Sequence, residues 1–340
     1  MQKFQSIQVL RALAANMVVV FHFVGLNARI DPSYRAIESA IANLGIGGVH
    51  CFFVISGFVI TTVAQREHWR QFLFSRIVRI YPIYWVYLAL MVAFYLARGW
   101  PDPAPAFLNS VFLLPATTPL LPVGWSLVHE VYFYAVVALA LALGLSMVRL
   151  LTGWAVLIVV AQLFTTSTNP VLQIVTHPYT IEFIAGGFIA LANVRRHGLA
   201  ILVTGAALVA VGQTLCGLLD PSQQWLRMLL IGSPYMLVVY GAISLESTGW
   251  GAPPRWAIKL GDASYSTYLS HFLLLALLTR LFSTQQHGLV EQILFAGLCI
   301  IAANIWGVLS FNYLELPMLR IVRNKRAGGI VAQHTATNIG

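Results

Sequence analysis

Long apolar runs dominate the hydrophobic pattern of the chain. The runs are continuous and do not alternate, and each approaches the roughly 20 residues that an α-helix needs to cross a hydrocarbon core. Because a helix satisfies its backbone hydrogen bonds internally, such runs predict membrane-spanning helices. The stretch 107–115 is an additional half-span. The predicted spans are 8–25, 44–64, 79–97, 127–147, 150–167, 180–194, 198–217, 225–245, 264–284 and 288–311.

Composition strengthens this interpretation. Of the 340 residues, 59% are hydrophobic and only 9% are charged, and the mean hydropathy is +0.78. Soluble domains carry roughly 25% charged residues. The chain is therefore predicted to be all-α, a polytopic membrane helix bundle of about ten transmembrane helices. Residues 1–326 form one transmembrane domain in this prediction, and the unpatterned residues 327–340 form a disordered tail.

Basic residues divide the predicted loops into two sets. With the N-terminus inside, most Lys and Arg residues fall on the cytoplasmic side, and the outer side holds Arg29, Arg35, Arg98 and Arg227. Because cytoplasmic loops retain basic residues, both termini are predicted to be cytoplasmic. The net charge of +9 follows from that topology. We therefore expect membrane lipids and phosphate-bearing ligands as partners, and no nucleic acid.

Neither a cleaved leader nor a disulfide framework is expected. Arg11 interrupts the first apolar run and no small-residue cleavage site follows, so this run is interpreted as a retained span. Three cysteines, Cys51, Cys216 and Cys299, lie within or beside apolar runs. Their odd number predicts buried thiols, without disulfides or a metal site.

Ionisable residues inside apolar runs are costly in a bilayer and therefore indicate function. The stretch "RALAANMVVVFH" keeps one at each end. Arg11 and His22 are about three turns, or roughly 16 Å, apart on one helix face, with Arg11 toward the cytoplasm and His22 toward the outside. Structural explanations stay open for both, because Arg11 can reach headgroups and His22 can bond a neighbouring helix.

The second and third spans add further polar groups. The stretch "GGVHCFFVISGF" puts His50 near the predicted depth of His22, among small residues that favour close helix packing. Arg76 and Arg79 share a helix face at the cytoplasmic start of span three. They fit either positive-inside topology or phosphate recognition by guanidinium forks.

Span four opens with "GWSLVHEVYFY", which puts Glu130 beside His129 near the outer face. This is not a zinc-protease signature, because position 133 is Phe where H-E-x-x-H needs a second His. Glu130 can orient an imidazole or accept a proton. Four further polar residues have structural explanations as caps, interface residues or helix terminators: Glu182, Asp262, His271 and Glu315.

Taken in order, five motifs resemble the acyltransferase 3 family of membrane acyltransferases. They are the R-x10-H of span one, "FFVISGF", "SRIVRIYP", "GWSLVHEVYFY" and "GDASYSTYLSH", and the likeness runs from about residue 5 to 320. The opening "IQVLRALAANMVVVFH" is most similar to the exopolysaccharide acetyltransferase branch. One position departs, because many relatives read G-V-D where this chain has His50. Any role of that acid is therefore in doubt here.

The resemblance implies an O-acyltransferase of a bacterial inner membrane. Its expected donor is an acyl-CoA, most often acetyl-CoA, and its expected acceptor is a hydroxyl of an extracytoplasmic or lipid-linked glycan or of another small molecule. It also implies that Arg11 and His22 are the family's functional arginine and histidine, that Arg76 and Arg79 form its arginine motif, and that Glu130 is its span-four glutamate.

These residues suggest a path for the acyl group across the bundle. We expect Arg11, Arg76 and Arg79 to bind the CoA nucleotide at the inner face while the pantetheine arm extends toward His22. An imidazole titrates near neutral pH, so His22 can act as the general base that takes a proton from the acceptor hydroxyl.

Other residues are predicted to assist this chemistry, and no metal is expected. Glu130 or Glu182 would orient or assist His22, and His50 is a further candidate for acid–base work. Direct transfer is favoured because no Ser or Cys nucleophile is paired with a base, while an acyl-histidine intermediate stays open. The predicted acceptor-binding residues are Trp125, Ser126 and Glu182.

The alternative function is a transporter or flippase of a polar glycan intermediate. Such a protein would also line an inner path with ionisable residues. It leaves the ordered motif set unexplained, and the lack of a visible internal repeat disfavours it. Consumption of acyl-CoA distinguishes the two functions.

Overall fold

Helices make up all the regular structure in the part of the chain that the computed structural model describes. That part comprises residues 4–99, 104–115, 119–164, 169–192, 196–218, 223–249, 251–282 and 289–322. The α-helices are α1 (Gln5–Ala28), α2 (Tyr34–Ala64), α3 (Trp69–Ala97), α4 (Ala104–Phe112), α5 (Gly124–Ala142), α6 (Met147–Phe164), α7 (Pro170–Val175), α8 (Thr180–Leu191), α9 (Gly198–Leu218), α10 (Gln224–Arg227), α11 (Ser233–Ser247), α12 (Arg255–Asp262), α13 (Ser264–Phe282) and α14 (Leu289–Ser310). Two π-helical segments, Met228–Gly232 and Phe311–Glu315, join α10 to α11 and extend α14.

The predicted membrane helix bundle is confirmed, and the chain is a multi-pass integral membrane protein. Among the described residues, eight helices or helix pairs are long and apolar enough to cross a membrane. The other two predicted spans correspond to α6, a shorter apolar helix, and to α13, which is richer in polar side chains. The predicted half-span at 107–115 overlaps α4. The predicted tail, 327–340, lies outside the described residues.

Two helices begin well before the apolar runs that predicted them. α2 begins at Tyr34 and α3 at Trp69, where the predicted spans began at residues 44 and 79. Hydropathy detects only the part of a helix that suits hydrocarbon, whereas helical hydrogen bonding continues into polar flanks. Both arginines of the "RIVR" stretch therefore lie inside α3.

Small residues let the central helices approach closely. α1 packs against α2, α12 and α13, and α2 packs along α8. A Cβ atom on Gly57 of α2 would overlap the carbonyl oxygen of Phe183 in α8, and one on Gly186 of α8 would overlap that of Val54. The α2–α8 contact thus depends on glycine from both sides.

Aromatic side chains are prominent among the largest buried side chains of the bundle, and many aliphatic side chains are exposed. The largest buried side chains include Phe72, Tyr84, Tyr87, Phe133 and Phe183. On α14, Ile293, Leu298 and Ile305 are exposed, as expected of a helix that faces lipid. All three cysteines are buried free thiols, as predicted.

Candidate active site

An arginine-lined cavity lies among α1, α2, α3, α5 and α13. It spans about 840 Å³ and is named the arginine cavity. Its charged lining comprises Arg11 of α1, Arg76 and Arg79 of α3, and Glu130 of α5. Three cations against one carboxylate, surrounded by aromatic and aliphatic side chains, suit a ligand with phosphate groups and an apolar arm.

Glu315 holds Arg79 from outside this cavity. The Nη1 atom of Arg79 donates to Oε1 of Glu315, and Ser266 Oγ donates to Oε2 of the same carboxylate at 2.6 Å. The Arg79 guanidinium also lies 5.6 Å from the ring centroid of Tyr265. Glu315 is buried, so its carboxylate orients Arg79 and does more than end a helix.

Glu130 is held by two hydroxyl groups. Tyr134 donates to its Oε1 at 2.7 Å, and Ser56 donates to the same atom at 3.3 Å. It lines the arginine cavity together with Arg11. His22 lines another cavity, so a partnership between Glu130 and His22 stays a prediction.

His22 lines a different cavity, at the other end of α1. This space of about 1310 Å³ is named the histidine cavity. Its charged lining comprises Arg29, Arg98 and Arg280, together with Glu38. Arg11 and His22 therefore belong to separate cavities, one near each end of α1.

A second histidine contacts His22 directly. The Nε2 atom of His271 lies 3.0 Å from Nδ1 of His22, and Nδ1 of His271 lies 3.1 Å from the carbonyl oxygen of Thr267. Nδ1 of His22 also lies 3.1 Å from the carbonyl oxygen of Val18. These four residues form a connected chain of polar atoms on α1 and α13.

The two carbonyl groups decide which ring nitrogens carry protons. A carbonyl oxygen only accepts, so Nδ1 of His271 donates to Thr267 and Nδ1 of His22 donates to Val18. In the neutral His271 ring, Nε2 then accepts from Nδ1 of His22. This arrangement leaves Nε2 of His22 unprotonated, which is the form that a general base requires.

Tyr268 stands between the two cavities. It lines the arginine cavity, and its ring centroid lies 6.0 Å from that of His271. Its hydroxyl donates to the carbonyl oxygen of Val123 at 3.1 Å and lies 2.7 Å from Ser126 Oγ. Pro122, next to this contact in the chain, lines the histidine cavity. Tyr268 thus connects the lining of the arginine cavity with the His22–His271 pair.

His50 and Glu182 form a buried pair. Nδ1 of His50 lies 2.6 Å from Oε1 of Glu182, and both side chains are completely buried. Neither residue is among the described residues that line the two cavities. Their roles in catalysis and in acceptor binding therefore stay predictions, because neither side chain lines the cavity that His22 lines.

The predicted acceptor-binding residues are dispersed. Ser126 lines the arginine cavity, whereas Trp125 lines a third cavity of about 1020 Å³ with His129 and His177. The ring centroids of His129 and His177 are 4.6 Å apart. Neighbours along α5 point in different directions, because successive residues are about 100° apart around a helix.

The sequence assigns no function to two side chains of this region, namely His271 and Glu315. Both are polar residues in or beside late spans, and each has a sufficient structural explanation. Their partners, His22 and Arg79, are 249 and 236 residues away in the chain. No rule based on sequence spacing predicts contacts between residues so far apart. The sequence offers one signal for these side chains, the energetic cost of a polar group in an apolar run.

Comparisons with known proteins cover nearly the whole bundle. The model of the acyltransferase 3 family, described as an acyltransferase domain, matches residues 4–311. The exopolysaccharide production protein ExoZ of Rhizobium meliloti (strain 1021) is 30% identical in an alignment of 310 positions that covers 86% of this chain and 95% of that protein. No solved structure matches. Among the described residues, no group of three or more His, Cys, Asp or Glu side chains could hold a metal ion.

Proposed function

The chain belongs to the acyltransferase 3 family, and we propose on this basis that it transfers an acetyl group from acetyl-CoA to a glycan hydroxyl with His22 as the general base. The chain is thus a membrane acyltransferase whose family implies an acyl donor and a hydroxyl acceptor. The observation that carries the assignment of His22 is its contact with His271. That contact leaves Nε2 of His22 able to take a proton.

The proposed step is direct transfer. Nε2 of His22 takes the proton of the acceptor hydroxyl while the acceptor oxygen attacks the thioester carbonyl carbon. The C–S bond breaks, and the imidazolium returns the proton to the departing sulfur, so that the products are the acetyl ester and free CoA. A positioned acid–base group of this kind contributes roughly 10²–10⁴ in rate. His271 stabilises the imidazolium by accepting from its Nδ1.

The donor binds in the arginine cavity in this proposal. Arg11, Arg76 and Arg79 would hold the CoA phosphates, because guanidinium groups bind phosphate oxygens bidentately. The apolar lining would take the pantetheine arm. Glu315 fixes Arg79 in advance, which reduces the entropy lost when the donor binds. An arginine that only contacts lipid headgroups would not need to be held in one fixed geometry.

Direct transfer requires a passage between the two cavities. The thioester must pass from the arginine cavity to His22, and we infer that the ring of Tyr268, whose hydroxyl contacts Ser126, closes that route. This ring would move aside for the donor arm once the acceptor is bound. Ser126, predicted from the sequence to bind the acceptor, would then act at the passage itself.

The acceptor and the location follow from the relative and the topology. The similar protein from Rhizobium meliloti is named for exopolysaccharide production, which supports a glycan destined for the cell surface as the acceptor. The predicted orientation puts the arginine cavity on the cytoplasmic side, where acetyl-CoA is made, and the histidine cavity on the outer side of a bacterial inner membrane.

Reconstituted protein provides the test. Wild type, His22→Ala and Arg76→Ala are compared in vesicles given acetyl-CoA and a glycan acceptor, with CoA release and acceptor acetylation both measured. We expect His22→Ala to lose at least about 100-fold in rate, and Arg76→Ala to raise the KM for acetyl-CoA. Arg70→Ala is the matched control, since Arg70 is an exposed residue on α3 outside the cavity lining.

Each outcome bears on a separate assignment. Full activity of His22→Ala would exclude this residue as the base. An unchanged KM for Arg76→Ala would exclude phosphate binding at this residue. Movement of glycan across the vesicle without CoA release would favour the transporter.

A further inference from the structure

The outer mouth of the histidine cavity is rich in arginine. Arg29 follows α1, Arg98 follows α3, and Arg280 lies in the last turn of α13, and all three line this cavity. Arg280 has a partner of its own, so Arg29 and Arg98 are the cations that a ligand could use. Glu38 is the carboxylate among the described lining residues, and these two arginines outweigh its charge.

Topology does not explain this charge. In the predicted orientation these arginines lie outside, where basic residues are depleted. The positions at helix C-termini are favourable for cations, by about 0.3–1 kcal/mol each. The helix dipole accounts for basic residues at the ends of three helices. It does not account for the convergence of those three ends on the cavity that contains His22.

The same cavity has to admit the acceptor. Under the proposed function, the acceptor hydroxyl must reach Nε2 of His22, and His22 lines only this one of the two cavities. Arg29 lines this cavity together with His22. Phe94 and Tyr95 add aromatic surface beside Arg98, and sugar rings stack on such surfaces. A molecule with its hydroxyl at His22 would extend past the arginines.

We propose that the acceptor carries an anionic oxygen group, a phosphate or a carboxylate, which binds to Arg29 and Arg98 while its hydroxyl lies at His22. This inference rests on the proposed function and specifies its substrate class. Two sources offer that chemistry, namely the phosphate of a lipid-linked saccharide and the carboxylate of an acidic sugar. A guanidinium–oxyanion contact is strong and directional, so it also fixes which hydroxyl meets the base.

The test compares three acceptors in vesicles containing the full chain and saturating acetyl-CoA. They are a neutral oligosaccharide, the same oligosaccharide with one uronic acid, and the neutral oligosaccharide on a lipid pyrophosphate. We expect at least one charged acceptor to have the lower KM. In Arg98→Gln and Arg29→Gln, that KM should rise about tenfold or more, with the KM for acetyl-CoA unchanged. The charged acceptor whose KM rises in these two variants identifies the source of the anion.

Arg35→Gln is the matched control. It removes the same charge from an exposed residue at the start of α2 that is not part of the cavity lining. An equal rise of this KM in Arg35→Gln would show that the effect comes from general surface charge. That result would overturn the proposal. Equal use of the neutral and charged acceptors, with no selective effect of Arg98→Gln, would also overturn it. His22→Ala is also measured with every acceptor. If this variant is inactive with all of them, the proposed function is supported even where the arginine variants contradict the anion site.

Discussion

His271 contacts the proposed base, His22, directly. Its Nε2 atom accepts from Nδ1 of His22 at 3.0 Å, and its own Nδ1 is committed to the carbonyl of Thr267. When His22 takes a proton, the positive charge strengthens its hydrogen bond to His271, because charge-assisted bonds are roughly twice as strong as neutral ones. His271 is therefore a positioning residue for the proposed base.

Replacement of His271 by Leu should lower kcat and leave donor binding intact. Hydrogen bonds to charged groups contribute about 1.5–3 kcal/mol, so kcat should fall roughly 10- to 100-fold, with the KM for acetyl-CoA unchanged. Steady-state kinetics in vesicles, repeated across pH, would measure both constants. Nδ1 of His22 would then keep only the carbonyl oxygen of Val18 as an acceptor, so the imidazolium is less stabilised and the rise of kcat with pH should shift to lower pH.

His271→Gln is the matched variant for this experiment. Its side-chain oxygen can accept from Nδ1 of His22, so it should restore much of the rate. A purely structural role of His271 would predict equal loss in both variants with parallel changes in thermal stability. That result would remove His271 from the proposed mechanism.

At the scale of elements, the close contact of α2 with α8 determines where several polar side chains lie. Gly57 and Gly186 each face a backbone carbonyl of the opposite helix. The same contact brings His50 of α2 to Glu182 of α8. Neither partner of this pair can reach the other unless the two backbones approach closely.

Gly57→Ala should therefore destabilise the bundle. The added methyl group would overlap the carbonyl oxygen of Phe183, and overpacking of this kind costs typically 1–3 kcal/mol. Thermal unfolding of the purified protein in detergent would measure the loss. Gly153→Ala is the control, because a Cβ at Gly153 of α6 meets nothing within 4 Å. Equal melting temperatures of the two variants would contradict this account of the α2–α8 contact.

Helices could be predicted from the sequence, but their pairings could not. All ten predicted spans coincide with helices, because hydrocarbon imposes a length and an apolar composition that the sequence displays directly. The start of α3 at Trp69 was missed, since its first turns are polar. The pairing of Arg79 with Glu315 joins distant parts of the chain, and neither helix alone carries a signal for it.

At the scale of the whole molecule, the "RALAANMVVVFH" stretch bridges two cavities. The sequence predicted the separation of Arg11 from His22 but suggested that one path contained both. The structure assigns Arg11 to the arginine cavity and His22 to the histidine cavity, with Tyr268 between them. Tyr268 belongs to a late helix, so nothing in the first span could reveal this division.

The barrier formed by Tyr268 should keep water and the thioester apart until an acceptor is bound. Tyr268→Ala would remove the ring and hydroxyl that meet Ser126 and Val123, and so join the two cavities. We expect acetyl-CoA hydrolysis without acceptor to rise several-fold, because water gains access to the thioester beside His22. A thiol reagent added to vesicles without glycan measures the CoA released.

Tyr268→Phe separates this effect from loss of packing. It keeps the buried ring and removes only the hydroxyl, so its hydrolysis should stay near that of wild type while Tyr268→Ala rises. The double variant Tyr268→Ala with His22→Ala should return to the low rate, because the hydrolysis we expect uses the same base as transfer. If Tyr268→Ala folds, as judged by its elution from a sizing column, and hydrolyses acetyl-CoA no faster than wild type, then the thioester does not pass Tyr268. Acyl transfer would in that case have to take place on the arginine side of the barrier, beside Glu130 and away from His22.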